Sequence, residues 1–75
     1  MSGVRVYVSA TGSTLCIAGA DNARATLYNA SGSRIADIAV VHEATYDMSA
    51  LATGVYFVRL SQNGTAKTFK VLKRK

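Results

Sequence analysis

Apolar and polar residues alternate along most of this chain, in short runs separated by Gly, Asn, Asp and Ser. A period of two places successive side chains on opposite faces of a strand. Val4-Arg5-Val6-Tyr7-Val8 puts Val4, Val6 and Val8 on one face, and Thr11-Gly12-Ser13 then turns the chain. Thr14 to Ala18 predicts a second strand with Leu15 and Ile17 inward, and Gly19-Ala20-Asp21-Asn22 is turn chemistry. Ala23 to Tyr28 and Arg34 to Val41 predict the third and fourth strands, joined by a hairpin loop over Asn29-Ala30-Ser31-Gly32-Ser33 in which Gly32 takes a positive φ. The alanines of the fourth segment favour helix weakly, but Ile38, Val40 and Val41 outweigh them.

Thr45-Tyr46-Asp47-Met48 predicts a short fifth strand, followed over Ser49 to Ala52 by one helical turn capped by Ser49 or Asp47 and ended by Gly54. Val55 to Ser61 is apolar on both faces as far as Arg59, as expected of a central strand. Asn63-Gly64 signals a tight hairpin, and Thr68 to Lys73 returns as the seventh strand, with Phe69 and Val71 on one face and Lys70 and Leu72 on the other. About seven short strands at this spacing predict an all-β, immunoglobulin-like antiparallel β-sandwich.

The chain has 75 residues, which is the scale of one domain. Residues 1–3 are expected to be an arbitrary start or a cloning scar, and 4–75 a single domain cut from something larger. With one cysteine, Cys16, no internal disulfide is available, and one His beside one Cys cannot close a zinc site. Stability must therefore come from the apolar core. A chain this short buries only about 60% of the surface of its unfolded form. No apolar run is long enough to span a membrane as a helix, and the N-terminus lacks the pattern of a signal peptide.

No catalytic constellation emerges. His42 sits between Val41 and Glu43 at a strand end and reads as a surface or loop histidine, and Cys16 reads as a small core or sheet-face residue. Asp21, Asp37, Glu43 and Asp47 fall in different segments and do not form an acid/base pair, and no nucleophile elbow or phosphate loop is present. The expectation is a non-enzyme without cofactor or metal. The net charge is +5, and six of the nine basic residues lie from Arg59 onward, a distribution that attracts an acidic surface, anionic lipid or nucleic acid. Nucleic acid is disfavoured as a partner: no aromatic-basic strand motif accompanies Tyr7, Tyr28, Tyr46 and Tyr56, and the charge crowds one end.

The block Tyr46-Asp47-Met48-Ser49-Ala50-Leu51-Ala52-Thr53-Gly54-Val55-Tyr56-Phe57-Val58-Arg59 has a mechanical reading. Leu51 plugs the core, Gly54 permits a sharp reversal, and the Tyr56 hydroxyl reaches back to the upstream backbone as in a tyrosine corner. The whole chain also resembles the C-terminal sorting domain of proteins exported by the type IX (Por) secretion system of Bacteroidetes-type Gram-negative bacteria. Val4 to Ile17 is similar to the opening strand pair, Leu27 to Ile35 to the family's hairpin, the Gly-Val-Tyr block to its most recognisable segment, and Gly64 to Lys75 to its closing basic strand. The family often carries Pro-Asn-Pro after its first strand, where this chain has Val8-Ser9-Ala10 and no proline anywhere.

The resemblance implies an address label carried at the C-terminal side of a cargo domain. An outer-membrane translocon reads it, a sortase-like surface protease removes it, and the cargo passes through the periplasm and outer membrane to the cell surface. The residues expected to carry sorting and recognition are Gly54, Tyr56, Lys70, Val71, Lys73, Arg74 and Lys75. An edge position for the last strand also implies a strand-swapped or edge-to-edge dimer. The alternative reading is a β-sandwich accessory module that binds carbohydrate or packs on an enzyme domain.

Overall fold

A computed structural model describes residues 3–74. Seven strands follow one another as β1 (Arg5–Val8), β2 (Thr14–Ala18), β3 (Ala23–Asn29), β4 (Arg34–Val40), β5 (Glu43–Asp47), β6 (Gly54–Gln62) and β7 (Thr65–Lys73). They form two antiparallel sheets, one ordered β1-β2-β5 and the other β4-β3-β6-β7. This is the expected sandwich. The fourth strand pairs with the third, whereas in the constant-type immunoglobulin partition, which also has a four- and a three-stranded sheet, it joins the first, second and fifth. β6 is interior to its sheet, paired on one side with β3 and on the other with β7.

The alternation sets the core. Leu15 and Ile17 of β2 face Ala25 and Leu27 of β3, Val40 of β4, and Tyr56, Val58 and Leu60 of β6, all within the buried cluster. Val6 and Val8 of β1, Ala44 and Tyr46 of β5 and Phe69 of β7 pack around it half-buried or flank it. Burying each aliphatic side chain contributes roughly 1.5–3 kcal/mol. Cys16 lies on the outer face of the three-stranded sheet, between Tyr7 and Thr45, as a sheet-face residue.

Two turns obey their local chemistry closely. Asn63 (φ 50°) and Gly64 (φ 78°) make the two-residue connection between Gln62 and Thr65, with both central residues left-handed as a type I′ turn requires. In the β3–β4 loop Asn29 Oδ1 accepts hydrogen bonds from the backbone N–H groups of Ser31 and Ser33 and from the Ser31 hydroxyl. Gly32, at φ 91°, completes that loop as the sequence predicts.

Between β5 and β6 the structure corrects the expectation. Among the described residues there is no helix, and 49–52 do not form a helical turn of their own. One hydrogen-bonded turn occurs a residue earlier, with Leu51 N–H donating to Met48 O at 2.9 Å. The fifth strand also ends at Asp47, not Met48. Met48 N–H donates across to Ser13 O at 2.8 Å, which drives the Met48 side chain into the core with no exposed surface. Met48, not Leu51, is therefore the plug; Leu51 only packs against the cluster, half-buried. Met48→Ala should cost about 2–5 kcal/mol, the range for a large buried side chain, and Leu51→Ala clearly less. Urea titrations of the two variants check this, and the opposite ranking would restore Leu51 as the plug.

Candidate functional site

The segment that sequence reasoning singled out is built on the β5–β6 corner. Asp47 Oδ1 accepts the Ser49 N–H at 2.9 Å, so Asp47 supplies the cap and Ser49 receives it. That bond is the main reason the Asp47 carboxyl lies below its ordinary value; the Ser49 hydroxyl adds to it, desolvation opposes it, and the positive charge of Lys73 makes the smallest contribution, again downward. The chain then runs through Ala52 and Thr53 to Gly54, whose φ of 144° is one that L side chains rarely adopt. A Cβ at Gly54 would meet nothing within 4 Å, so the demand for glycine is one of backbone conformation and not of space.

Two residues on, the Tyr56 ring is buried, 6% exposed, and its hydroxyl donates to Ala52 O at 2.5 Å. This is the tyrosine corner expected from the sequence: one side chain ties the start of β6 to the crossing that precedes it.

The closing strand completes the candidate site. Val71 pairs with Tyr56 and is buried. Lys73 pairs with Gly54 and keeps the same inward parity as Phe69 and Val71, so the residue is only 3% exposed. No side-chain N or O among the described residues is both fully buried and unpartnered. The Lys73 stem therefore lies along the core edge while its ammonium reaches out toward water and the Asp47 carboxylate, as long cationic side chains do. Lys70 and Arg74 are exposed, and the Arg74 N–H donates to Gly12 O at 3.2 Å, fastening the end of β7 to the β1–β2 turn. Lys67 places its ammonium 5.4 Å from the Phe69 ring centroid.

The seven sequence-predicted residues thus divide. Gly54, Tyr56, Val71 and Lys73 form one packed unit at the corner, Lys70 and Arg74 face solvent, and Lys75 lies outside the described residues. The inward position of Lys73 was written in the alternation Phe69, Val71, Lys73; its charge concealed it. Leu72 lies on the opposite face with Lys70, as the alternation predicts, and is 48% exposed.

Nothing in this region assembles acid/base chemistry. An open cleft lined by Ala30, Ser31, Ala52, Thr53, Val55 and Tyr56 offers a single titratable side chain, whose hydroxyl is committed to Ala52 O. His42 is exposed and pairs through Nδ1 with Asp21 Oδ1 at 2.6 Å at the opposite pole, a surface histidine as expected. Among the described residues no group of His, Cys, Asp or Glu has the arrangement of a metal site.

Two measurements test the corner. Tyr56→Phe should cost on the order of 1 kcal/mol, the net worth of a neutral hydrogen bond, and Tyr56→Ala several times more because a large aromatic also leaves the core; equal urea midpoints for wild type and Tyr56→Phe would show the hydroxyl to be idle. The lowered folded-state pKa of Asp47 means that its stabilising effect is present above the ordinary value of 3.8 and is lost as the pH falls through the folded value. The difference in urea midpoint between wild type and Asp47→Asn should therefore be largest near neutral pH and close below pH 3.8, whereas a pH-independent difference would show that the charge contributes nothing.

A family model described as the secretion system C-terminal sorting domain matches residues 5–74, from the start of β1 to the residue after β7. No curated protein and no solved structure matches the chain. The family match covers the corner and the closing hairpin together, and it gives no support to an accessory module that binds carbohydrate or packs on an enzyme. The chain belongs to the C-terminal sorting domains of the type IX secretion system, the signals that direct a cargo protein across the outer membrane to the cell surface.

Proposed function

We propose that the outer-membrane translocon reads this sorting domain at its C-terminal hairpin, and that a sortase-like protease at the cell surface then removes it from the cargo N-terminal to it. Membership of the family implies the secretion system and the N-terminal cargo. The observation that carries the assignment to the hairpin is the position of β7 at the margin of its sheet, with Lys70 exposed on it and Arg74 exposed beyond it. An edge strand holds backbone groups on one side that no neighbouring strand of its own sheet pairs, and a receptor adds a strand there by main-chain hydrogen bonding. Exposed cations then supply orientation and on-rate. Gly54, Tyr56, Val71 and Lys73 act beneath this surface by holding β7 in place, Lys70 and Arg74 face the receptor, and Lys75 adds its charge to theirs.

The sorting-domain family is not a catalytic one. The same reading gives this chain no enzymatic activity of its own, no cofactor, and residues 4–75 as one sorting unit. On the same reading, two copies would pair at this edge, by strand swapping or edge to edge, at high concentration.

The test is export of a neutral reporter fused N-terminal to this domain in a host with the type IX machinery. A single exposed charge is worth about 0–1 kcal/mol, so Lys70→Ala alone should be nearly silent. Deleting Arg74 and Lys75 together should reduce surface reporter and raise periplasmic reporter. Lys73 stays in this variant, because its buried stem makes its loss a folding defect. Undiminished export of the truncated fusion would move the signal away from this end.

A further inference from the structure

The strand pairing brings together charges that lie far apart in sequence. Outward-facing Arg24 of β3, Arg34 of β4, Arg59 of β6 and Lys70 of β7 are all exposed and share the outer face of the four-stranded sheet. Asp37 is the one acidic residue on that face, and it is held by Arg34 at 3.2 Å and by the Thr26 hydroxyl at 2.9 Å. Arg24, Arg59 and Lys70 have no salt-bridge partner among the described residues. Tyr28 and Phe57, cross-strand neighbours between Arg34 and Lys70, and the adjoining pair Val55–Leu72 lay down an apolar strip toward one end of this face. The outer face of the three-stranded sheet is different: it carries Arg5 with Glu43 and Asp47, and so has a slight excess of acid.

We propose that the outer face of the β4-β3-β6-β7 sheet is a docking surface for a protein partner whose own surface carries acidic groups beside an apolar patch. This deepens the reading of the chain as a sorting domain and rests on it: the partner is a component of the export machinery, and it meets the sheet face in addition to the β7 edge. Charge complementarity selects an acidic partner, since the face offers cations and a single, already paired carboxylate. The burial of its apolar side chains selects a protein over a lipid surface. Tyr28, Val55 and Phe57 are half-buried and Leu72 alone of the four is exposed, so little apolar surface stands free to enter a bilayer. Four strands about 4.8 Å apart and 20–25 Å long cover on the order of 400 Å². Contacts of that size fall in the weak, transient class, below about 1,200 Å² in total, as suits an address that is read and then released.

The test uses the full chain fused to a reporter in a host with the type IX machinery. Arg59→Glu combined with Lys70→Glu should lower surface reporter by at least about tenfold, the scale of electrostatically steered association, with folded fusion accumulating in the periplasm. Arg5→Glu, on the opposite sheet, should export as wild type does. The neutral pair Arg59→Gln with Lys70→Gln should fall between; if the charge-reversed fusion does not fold, this pair decides, a drop supporting the proposal and wild-type export overturning it. Normal export of a folded Arg59→Glu, Lys70→Glu fusion would also overturn it. Failure of the wild-type fusion to leave the periplasm would instead overturn the sorting reading beneath it. In a second arm the unfused chain is sedimented with phosphatidylglycerol vesicles and with phosphatidylcholine vesicles. Neither should retain it, and binding to the anionic vesicles that the charge reversal abolishes would replace the protein partner with a lipid surface.

Discussion

Tyr56, Val58 and Leu60 project from β6 into the space between the two sheets, and the sandwich closes on them. β6 is paired on both sides, with β3 and β7, and its inner residues meet Leu15 and Ile17 from the opposite sheet. With Cys16 alone in the sequence, no crosslink supports this packing, so the register of β6 has to be fixed by other means. A slip of one residue would turn Val55, Phe57 and Arg59 inward and send the core residues to solvent. The Tyr56 hydroxyl bond to Ala52 O opposes such a slip at the strand's start, and the Asn63-Gly64 turn opposes it at the strand's end.

The same constraint explains why the corner residues are structural before they are anything else. Gly54 supplies a backbone angle, Asp47 organises the turn through Ser49 N–H, Met48 fills the core, and Val71 and Lys73 cover Tyr56 and Gly54 from the neighbouring strand. A segment can be the most recognisable part of a sorting domain because it makes the domain fold, leaving the contact with the secretion machinery to residues that point away from it.

Strand positions, the type I′ hairpin and the tyrosine corner were legible because each depends on local chemistry: period-two alternation, a pair of residues tolerant of positive φ, and a tyrosine placed after a glycine. The family was legible in the Gly-Val-Tyr block together with the basic closing strand. Three features were not. Serine and alanine over 49–52 carry a helical propensity of a few tenths of a kcal/mol per residue, too little to resist the pull of Met48 into the core by its hydrogen bond to Ser13. The burial of Lys73 is hidden by its charge, although a four-carbon stem follows the alternation of its strand and delivers its ammonium to the edge. The joining of the β3–β4 hairpin to β6 and β7 in one four-stranded sheet depends on long-range contacts that no local pattern encodes.

That last feature changes what the charge of the chain means. Along the sequence the positive charge collects at the C-terminal end, which reads as a basic tail. In the folded sheet β3 and β4 carry Arg24 and Arg34 onto the face that holds Arg59 and Lys70, and β5 carries Glu43 and Asp47 onto the other sheet. Lys73, counted with the tail in sequence, is withdrawn to the core edge beside Asp47. A linear basic segment would offer charge without direction. The sandwich converts it into two chemically distinct faces, and a receptor that senses the difference can recognise the folded domain by orientation as well as by charge.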